Sequence, residues 1–189
     1  MKTETKIFCD AVRTRSQENR AAIELLGHSP ATLSPAVSIL RQELDSMVRV
    51  IWLLALESMS ERKRLILATL SGQKWKRMTP SGKEVNITDR DMVELAQALQ
   101  GWSKSVYKFG CAFIHLSDFH EHSVQDPFRK LPQAEKDAIL SHMRAYHGGP
   151  IENDPDLLAI ALFIPQIFDK IAGNLECYLE HLEKGEMIN

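Results

Sequence analysis

Residues 92–116 read MVELAQALQGWSKSVYKFGCAFIHL, and this stretch decides the fold class. Its apolar side chains recur at alternating steps of three and four, at Met92, Leu95, Leu99, Trp102, Val106, Phe109, Phe113 and Leu116. This spacing places them on one face of an α-helix, which turns once every 3.6 residues. The pattern therefore predicts one long helix, capped by Thr88, bent at Gly110 and continuing to about residue 122.

Helical spacing also dominates the rest of the chain. A central helix is predicted from Ser34, with apolar positions at Leu40, Leu44, Met47, Ile51 and Leu54. A last helix is predicted from Asp154-Pro155, with a kink at Pro165. Shorter helices are predicted at about 4–27, 60–72 and 132–148.

Signals for β-strands are almost absent, because the chain has no Asn-Gly or Asp-Gly hairpin turn and no useful period-2 alternation. We therefore predict an all-α fold, an antiparallel bundle of about five or six helices with long central helices. A length of 189 residues fits a single domain over 1–189, with a polar loop at 73–87.

The bulk composition excludes several classes of protein. A net charge of −2 argues against a surface coated with basic residues for nucleic acid, although it allows a local basic patch. Three widely spaced cysteines (Cys9, Cys111 and Cys177) are not a disulfide framework and fit a reducing cytoplasm. The longest apolar runs, 50–56 and 157–164, are too short to span a bilayer, so we expect a cytoplasmic protein with no membrane partner.

A polar cluster follows the apolar face of the long helix. Lys108, Cys111 and His115 share one helical face, so His115 could move a proton while Lys108 steadies charge on a phosphate. The alternative is a surface His beside a Lys.

The same cluster contains metal-ligating atoms, at Cys111, His115, Asp118, His120 and His122. These residues form no recognised ligand motif. We assign no metal ligand and no cofactor, and a metal-binding bundle remains a second alternative.

A basic segment is the best candidate for a nucleic-acid surface. It comprises Arg62, Lys63, Arg64, Lys74, Trp75, Lys76 and Arg77. Lys and Arg neutralise phosphates, and an exposed Trp can stack on an unpaired base, which would suit RNA. The alternative is a solvated helix end and a charged loop, with Trp75 folded back onto the bundle.

Charged residues also fringe the central helix. Asp45 stands four residues from both Arg41 and Arg49, so it can pair with either of them on one helical face. A structural ion pair is one interpretation of these residues. An arginine site that holds a phosphate is the other.

Several enzyme classes lack their sequence motifs here, since there is no Gly-rich phosphate loop, dinucleotide fingerprint or Gly-x-Ser-x-Gly elbow.

The chain resembles the HEPN superfamily in two stretches, ILRQELDSMVRVIWLL at 39–54 and YKFGCAFIH at 107–115. The shared features are a charged central helix and a His late in a long helix. The resemblance implies an all-α, often dimeric protein, and many members are toxins or defence ribonucleases.

The HEPN resemblance also implies a chemistry. Catalytic members carry an Arg and a His with four to six residues between them, meet across a dimer and cleave RNA without metal, using the 2′-hydroxyl as nucleophile. No His in this chain follows an Arg at that spacing, and Lys108 stands there before His115. Many members are non-catalytic binding or regulatory subunits.

Two main hypotheses follow. The first is an HEPN-like, RNA-directed protein, either a ribonuclease of a toxin–antitoxin or defence system or a non-catalytic relative. In it His115 would be the acid–base residue, Lys108 or Arg41 would steady the phosphate, and the basic segment would bind RNA. The second is a non-enzymatic helical interaction protein that forms a homodimer or binds a protein partner through the apolar face at 157–164.

Overall fold

The computed structural model describes residues 3–188 except 27–28, 115–125 and 127. The helices run in the order α1 (Glu4–Leu26), α2 (Leu33–Leu54), α3 (Met59–Leu70), α4 (Asp89–Gln100), α5 (Ser103–Ile114), α6 (Gln133–His147), α7 (Leu157–Ala161) and α8 (Ile164–Glu183). A short 3-10 helix, Pro30–Thr32, precedes α2, and a small hairpin of β1 (Lys76–Met78) and β2 (Glu84–Asn86) lies between α3 and α4. The prediction of an all-α bundle is confirmed.

Helix α2 is the centre of the bundle. It packs against α1, α4, α5 and α8, and its apolar stretch from Val50 to Leu54 is buried except for the partly exposed Trp52. A helix that is apolar nearly all round must be surrounded by other elements, because each face needs a partner that excludes water. Helix α2 has more buried residues than any other described helix, and it also positions polar side chains between its neighbours.

The single long helix predicted at 88–122 is wrong, because the chain breaks at Gly101. Gly101 adopts a left-handed conformation with φ of 36°, which ends α4, and its N–H donates to the carbonyl of Gln97. Gly110 lies inside α5, so the bend predicted there stays a prediction. The Thr88 cap is confirmed, and Thr88 forms a reciprocal capping box with Asp91.

The break at Gly101 also changes which face of α4 is buried. Its buried residues are Met92, Val93 and Ala96, whereas Leu95 and Leu99 are 37% and 44% exposed. Two helices joined by a left-handed glycine can each turn their own best face to the core. An apolar pattern that runs on across the glycine cannot reveal this rotation.

The predicted kink at Pro165 is a full break between two helices. Pro165 lies in the first turn of α8, where a missing N–H costs no hydrogen bond. Helix α7 is capped by Asp156, which accepts from the N–H of Ala159 at 2.8 Å, and not by Asp154. With the break at Gly101, this second division explains why the described residues contain more helices than the five or six predicted.

The polar loop predicted at 73–87 contains the small hairpin, which the sequence did not reveal. Its strands pair antiparallel, with Arg77 opposite Val85. The turn between them includes Gly82 in a left-handed conformation with φ of 79°. The N–H of Ile87 donates to the carbonyl of Trp75 at 2.9 Å, which extends the pairing and directs Trp75 towards the bundle.

The segment Leu157–Glu183 is long and apolar enough to cross a membrane by length and composition. In its most apolar stretch of 18 residues, 33% is buried inside the protein. In the structure the segment comprises α7 and α8, and α8 packs against α2 and α1. Core helices of globular bundles meet the same criteria. The outer side of α7 carries Leu158 and Leu162, which are 41% and 51% exposed.

Candidate functional site

A polar cluster lies where α2 meets the N-terminus of α4 and the middle of α5. Arg41, Asp45 and Arg49 follow one another at steps of four along α2, so they share one face. Nε of Arg49 donates to Asp45 Oδ2 at 3.0 Å, and Nη1 of Arg41 lies 3.9 Å from Asp45 Oδ1. The predicted pairing of Asp45 with both arginines is confirmed.

Asp89, the first residue of α4, joins the two arginines. Nη2 of Arg41 donates to Asp89 Oδ2 at 3.2 Å, and Nη2 of Arg49 donates to Asp89 Oδ1 at 3.2 Å. The Arg41 side chain is 7% exposed, the Arg49 side chain 31% and the Asp89 side chain 45%. Two guanidinium groups therefore hold the two oxygens of one carboxylate on the open side of the cluster. We call Arg41 and Arg49 the arginine fork.

Each arginine of the fork is backed by an aromatic ring. Cζ of Arg41 lies 4.3 Å from the ring centroid of Tyr107, and Cζ of Arg49 lies 5.3 Å from that of Trp75. Contacts at these distances favour the cation electrostatically and order the guanidinium groups. Burial, and secondarily a hydrogen bond with Cys111, raises the pKa of Tyr107, so its hydroxyl stays protonated at neutral pH.

Helix α5 contacts the stem of Arg41 through Gly110. A Cβ atom at Gly110 would lie 2.7 Å from Arg41 Cβ and 2.9 Å from its Cδ. Both distances are well inside van der Waals contact between carbon atoms. The glycine therefore allows α5 to pack directly on Arg41, where Tyr107 can reach the guanidinium.

Gly110→Ala should lower the free energy of unfolding by about 1–3 kcal/mol, because the new methyl group forces α5 away from α2. Gly173→Ala in α8 is the matched control, since a Cβ there meets nothing within 4 Å. The control should stabilise the protein by about 0.5–1 kcal/mol, as alanine does in an open helix interior. Urea denaturation of both variants measures the difference. Equal effects would contradict the close packing at Gly110.

The cluster leaves buried polar atoms without partners. Nε of Arg41 and Oδ1 of Asp45 have no hydrogen-bond partner among the described residues, nor does the indole Nε1 of Trp52 on the same side of α2. An unpaired buried polar atom costs about 1–3 kcal/mol. Only one other such side chain, Arg62, is found in the described part of the chain. Most of the unpaired buried polar side-chain atoms among the described residues therefore lie on this side of α2. Such local exceptions are typical of functional sites.

The structure separates Lys108 from Arg41, the two residues predicted to steady a phosphate. Nζ of Lys108 lies 2.9 Å from Oε1 of Glu135 on α6, and the lysine is 56% exposed. Arg41 instead contacts the side of α5 that carries Tyr107 and Gly110. The third predicted catalytic residue, His115, lies outside the described residues.

Two residues of the predicted nucleic-acid segment are buried, which corrects their assignment. Arg62 is 2% exposed, and its guanidinium donates to backbone carbonyls. Trp75 is 3% exposed, and its indole N–H donates to Oγ1 of Thr69 at 2.8 Å. Neither side chain can reach an RNA in this arrangement, and Trp75 has folded back onto the bundle to support Arg49.

The other basic residues of that segment lie on the surface. Each of four has an acidic neighbour, in the pairs Lys63–Glu4, Arg64–Glu61, Lys76–Glu84 and Arg77–Asp91. Lys74 is also exposed. Exposed ion pairs contribute about 0–1 kcal/mol, so a phosphate could replace such a carboxylate at little cost.

The residues considered as metal ligands cannot be compared with one another. Only Cys111 of that set is described. The other four residues, His115, Asp118, His120 and His122, lie outside the described part of the chain. Within the described ranges, no group of three or more His, Cys, Asp or Glu side chains is placed to hold a metal ion. All three cysteines are free thiols, and burial raises the pKa of Cys9 to about 12, which makes it a poor nucleophile.

Comparison with protein-family models, with curated proteins and with solved structures gives no match for this chain.

Proposed function

We propose that this chain is an RNA-directed helical protein of the HEPN-like kind, in which the arginine fork holds a phosphate of the RNA backbone. The observation that carries the proposal is the convergence of Arg41 and Arg49 on the two oxygens of the half-exposed Asp89 carboxylate. A phosphodiester presents a similar pair of anionic oxygens. Arginine suits this role because its planar guanidinium carries several donors in fixed directions.

In this proposal Asp89 occupies the position that the phosphate takes. The four charged groups Arg41, Arg49, Asp45 and Asp89 sum to zero, so the fork with Asp89 in place attracts anions weakly. When a phosphate displaces the exposed Asp89 side chain, Tyr107 and Trp75 keep the two guanidinium groups ordered. The exposed lysines and arginines of the basic segment would then contact neighbouring phosphates.

His115 is the acid–base residue of the proposal. It follows the last described residue of α5, the helix whose Tyr107 and Gly110 contact Arg41. A histidine can accept the proton of a 2′-hydroxyl near neutral pH and return a proton to the leaving 5′-oxygen. Lys108 has no part in this arrangement, because its side chain extends to Glu135 on α6 whereas Arg41 contacts the side of α5 that carries Tyr107 and Gly110.

If the fork binds RNA phosphate, removing the acidic charge and removing an arginine should change RNA affinity in opposite directions. Asp89→Asn should raise the affinity for a short single-stranded RNA about tenfold, because the competing carboxylate loses its charge. Arg49→Gln should lower the affinity about tenfold, because one arm of the fork is removed. Fluorescence anisotropy with a labelled oligonucleotide measures both affinities at one fixed salt concentration.

Two substitutions on α4 provide matched controls. Glu94→Gln changes the charge as Asp89→Asn does, and Arg90→Gln changes it as Arg49→Gln does. Both control residues form an exposed ion pair with each other. Each control should alter the affinity less than threefold, which corresponds to about 0.6 kcal/mol. If the controls act as strongly as the fork variants, general surface charge and not the fork binds the RNA.

The setting that the HEPN resemblance implies also stays a proposal. It is a cytoplasmic homodimer that serves as a toxin or a defence component and has a protein partner.

A further inference from the structure

An apolar cavity lies between α2, α5, α6, α7 and α8, and neither arginine of the fork is among its lining residues. Its volume is about 60 Å³. Most of its wall is apolar, formed chiefly by Trp102, Phe109, Phe128, Ile139, Ile160 and Ile164. A water molecule needs roughly 10–15 Å³ of such volume, so the cavity could take about four to six water-sized groups. An apolar wall offers water few partners, and a short hydrocarbon group suits it better.

Three basic side chains lie together in the wall of this cavity. They are His142 and His147 of α6 and Lys170 of α8. The ring centroids of His142 and His147 are 5.8 Å apart, and the Lys170 side chain is exposed. None of the described residues that line the cavity is acidic. The cavity thus combines an apolar interior with positive or protonatable groups that no lining carboxylate neutralises.

From this combination we propose that the cavity binds a short-chain carboxylic acid, with its alkyl chain against the apolar wall and its carboxylate beside His142, His147 and Lys170. The chain would be buried and the carboxylate would stay near the surface at Lys170. This site is separate from the arginine fork. It can therefore be present or absent whether or not the fork binds RNA.

The two histidines make the proposed binding depend on pH. Burial, and then the charges of His147 and Lys170, lowers the pKa of His142, while burial and Lys170 lower that of His147. Among the described residues, the titratable side chain of Tyr146 also faces His142, with its ring centroid 4.6 Å away. Both imidazoles are thus neutral at neutral pH. A bound carboxylate favours their protonated forms, so affinity should rise as the pH falls through their pKa values.

Calorimetric titration with hexanoate tests the proposal, with hexanol and hexylammonium as ligands of the same chain length. Hexanoate should bind at least tenfold more tightly than hexanol, and hexylammonium should not bind measurably. Across a series from acetate to hexanoate the affinity should rise up to about fourfold per added methylene until the cavity is full. Equal binding of hexanoate and hexanol, or no gain with chain length, would overturn the proposal.

Variants at exposed lysines test the placement of the carboxylate without disturbing the core. Lys170→Glu should weaken hexanoate binding at least tenfold. Lys184→Glu, at the end of α8, makes the same charge change at another exposed position and should leave binding unchanged. Binding of hexanoate to the parent protein should also be tighter at about pH 6 than at about pH 8. A Lys170→Glu variant that binds like the parent, or an affinity independent of pH, would contradict the site.

Discussion

Arg62→Ala should lower the free energy of unfolding by about 3–5 kcal/mol, through lost packing and lost charge-assisted hydrogen bonds. The Arg62 side chain is almost completely buried, and Nη1 donates to the carbonyl of Glu186 at 3.0 Å. Nη2 donates to the carbonyls of Leu56 at 3.0 Å and Leu54 at 3.5 Å. One guanidinium group therefore fastens the C-terminal segment and the end of α2 to α3. Its removal takes this donor from the carbonyls of Glu186 and Leu56, whereas the carbonyl of Leu54 keeps the N–H of Ile188 at 3.2 Å.

Urea denaturation measures this effect, with Lys63→Ala as the matched control on the same helix. Lys63 is 58% exposed and forms a surface ion pair with Glu4, so its removal should change stability by less than about 0.5 kcal/mol. Arg62→Lys should also be strongly destabilising, because one ammonium group cannot reach carbonyls in three directions. A loss below about 1 kcal/mol for Arg62→Ala would show that these carbonyls find other partners.

His115→Ala should lower the rate of RNA cleavage at least about a hundredfold, as expected when a general acid–base residue is removed. The parent protein should cleave single-stranded RNA in the presence of EDTA and leave 2′,3′-cyclic phosphate ends. In this reaction the 2′-oxygen bonds to phosphorus while the bond to the 5′-oxygen breaks, and the proton passes from the first oxygen to the second. Gel electrophoresis of a labelled oligonucleotide gives the rate.

Lys108→Ala is the control for this experiment, since Lys108 is paired with Glu135 and should have little effect on the rate. His115→Ala should still bind RNA like the parent, because the arginine fork is unchanged. Cleavage by His115→Ala at the parental rate would remove His115 from the mechanism. If the parent binds RNA but does not cleave it, the protein is not a ribonuclease. It would then correspond to the non-catalytic, RNA-binding form of the proposal.

Local signals in the sequence were sufficient for the fold class and for several helix boundaries. The capping box of α4 involves only Thr88 and Asp91, which lie three residues apart in the sequence. The break at Gly101 was missed because the apolar spacing of three and four continues across it. Whether a glycine inside such a pattern stays helical depends on which neighbour each half can pack against, and that is not local information.

The site depended even more on long-range packing. Arg41, Asp45 and Arg49 were recognisable from their spacing on α2, but Asp89 carried only the signal of a favourable first-turn acid. Nothing within α4 shows that its N-terminus docks beside the middle of α2. Trp75 looked like an exposed base-stacking residue because its sequence neighbours are basic. The hairpin that folds it under Arg49 has a recognisable turn at residues 79–82, but its strands of three residues are too short to show a period-2 pattern.

If Arg49 and Asp89 act on the same anion position, their effects on RNA affinity are coupled, and a double-mutant cycle measures this coupling. The cycle compares the parent, Arg49→Gln, Asp89→Asn and the double variant in anisotropy titrations at one salt concentration. We expect Asp89→Asn to lose most of its tenfold gain when Arg49 is already Gln, a coupling of about 1 kcal/mol. If the two effects add to within about 0.3–0.5 kcal/mol, the residues act independently and the fork does not hold the phosphate.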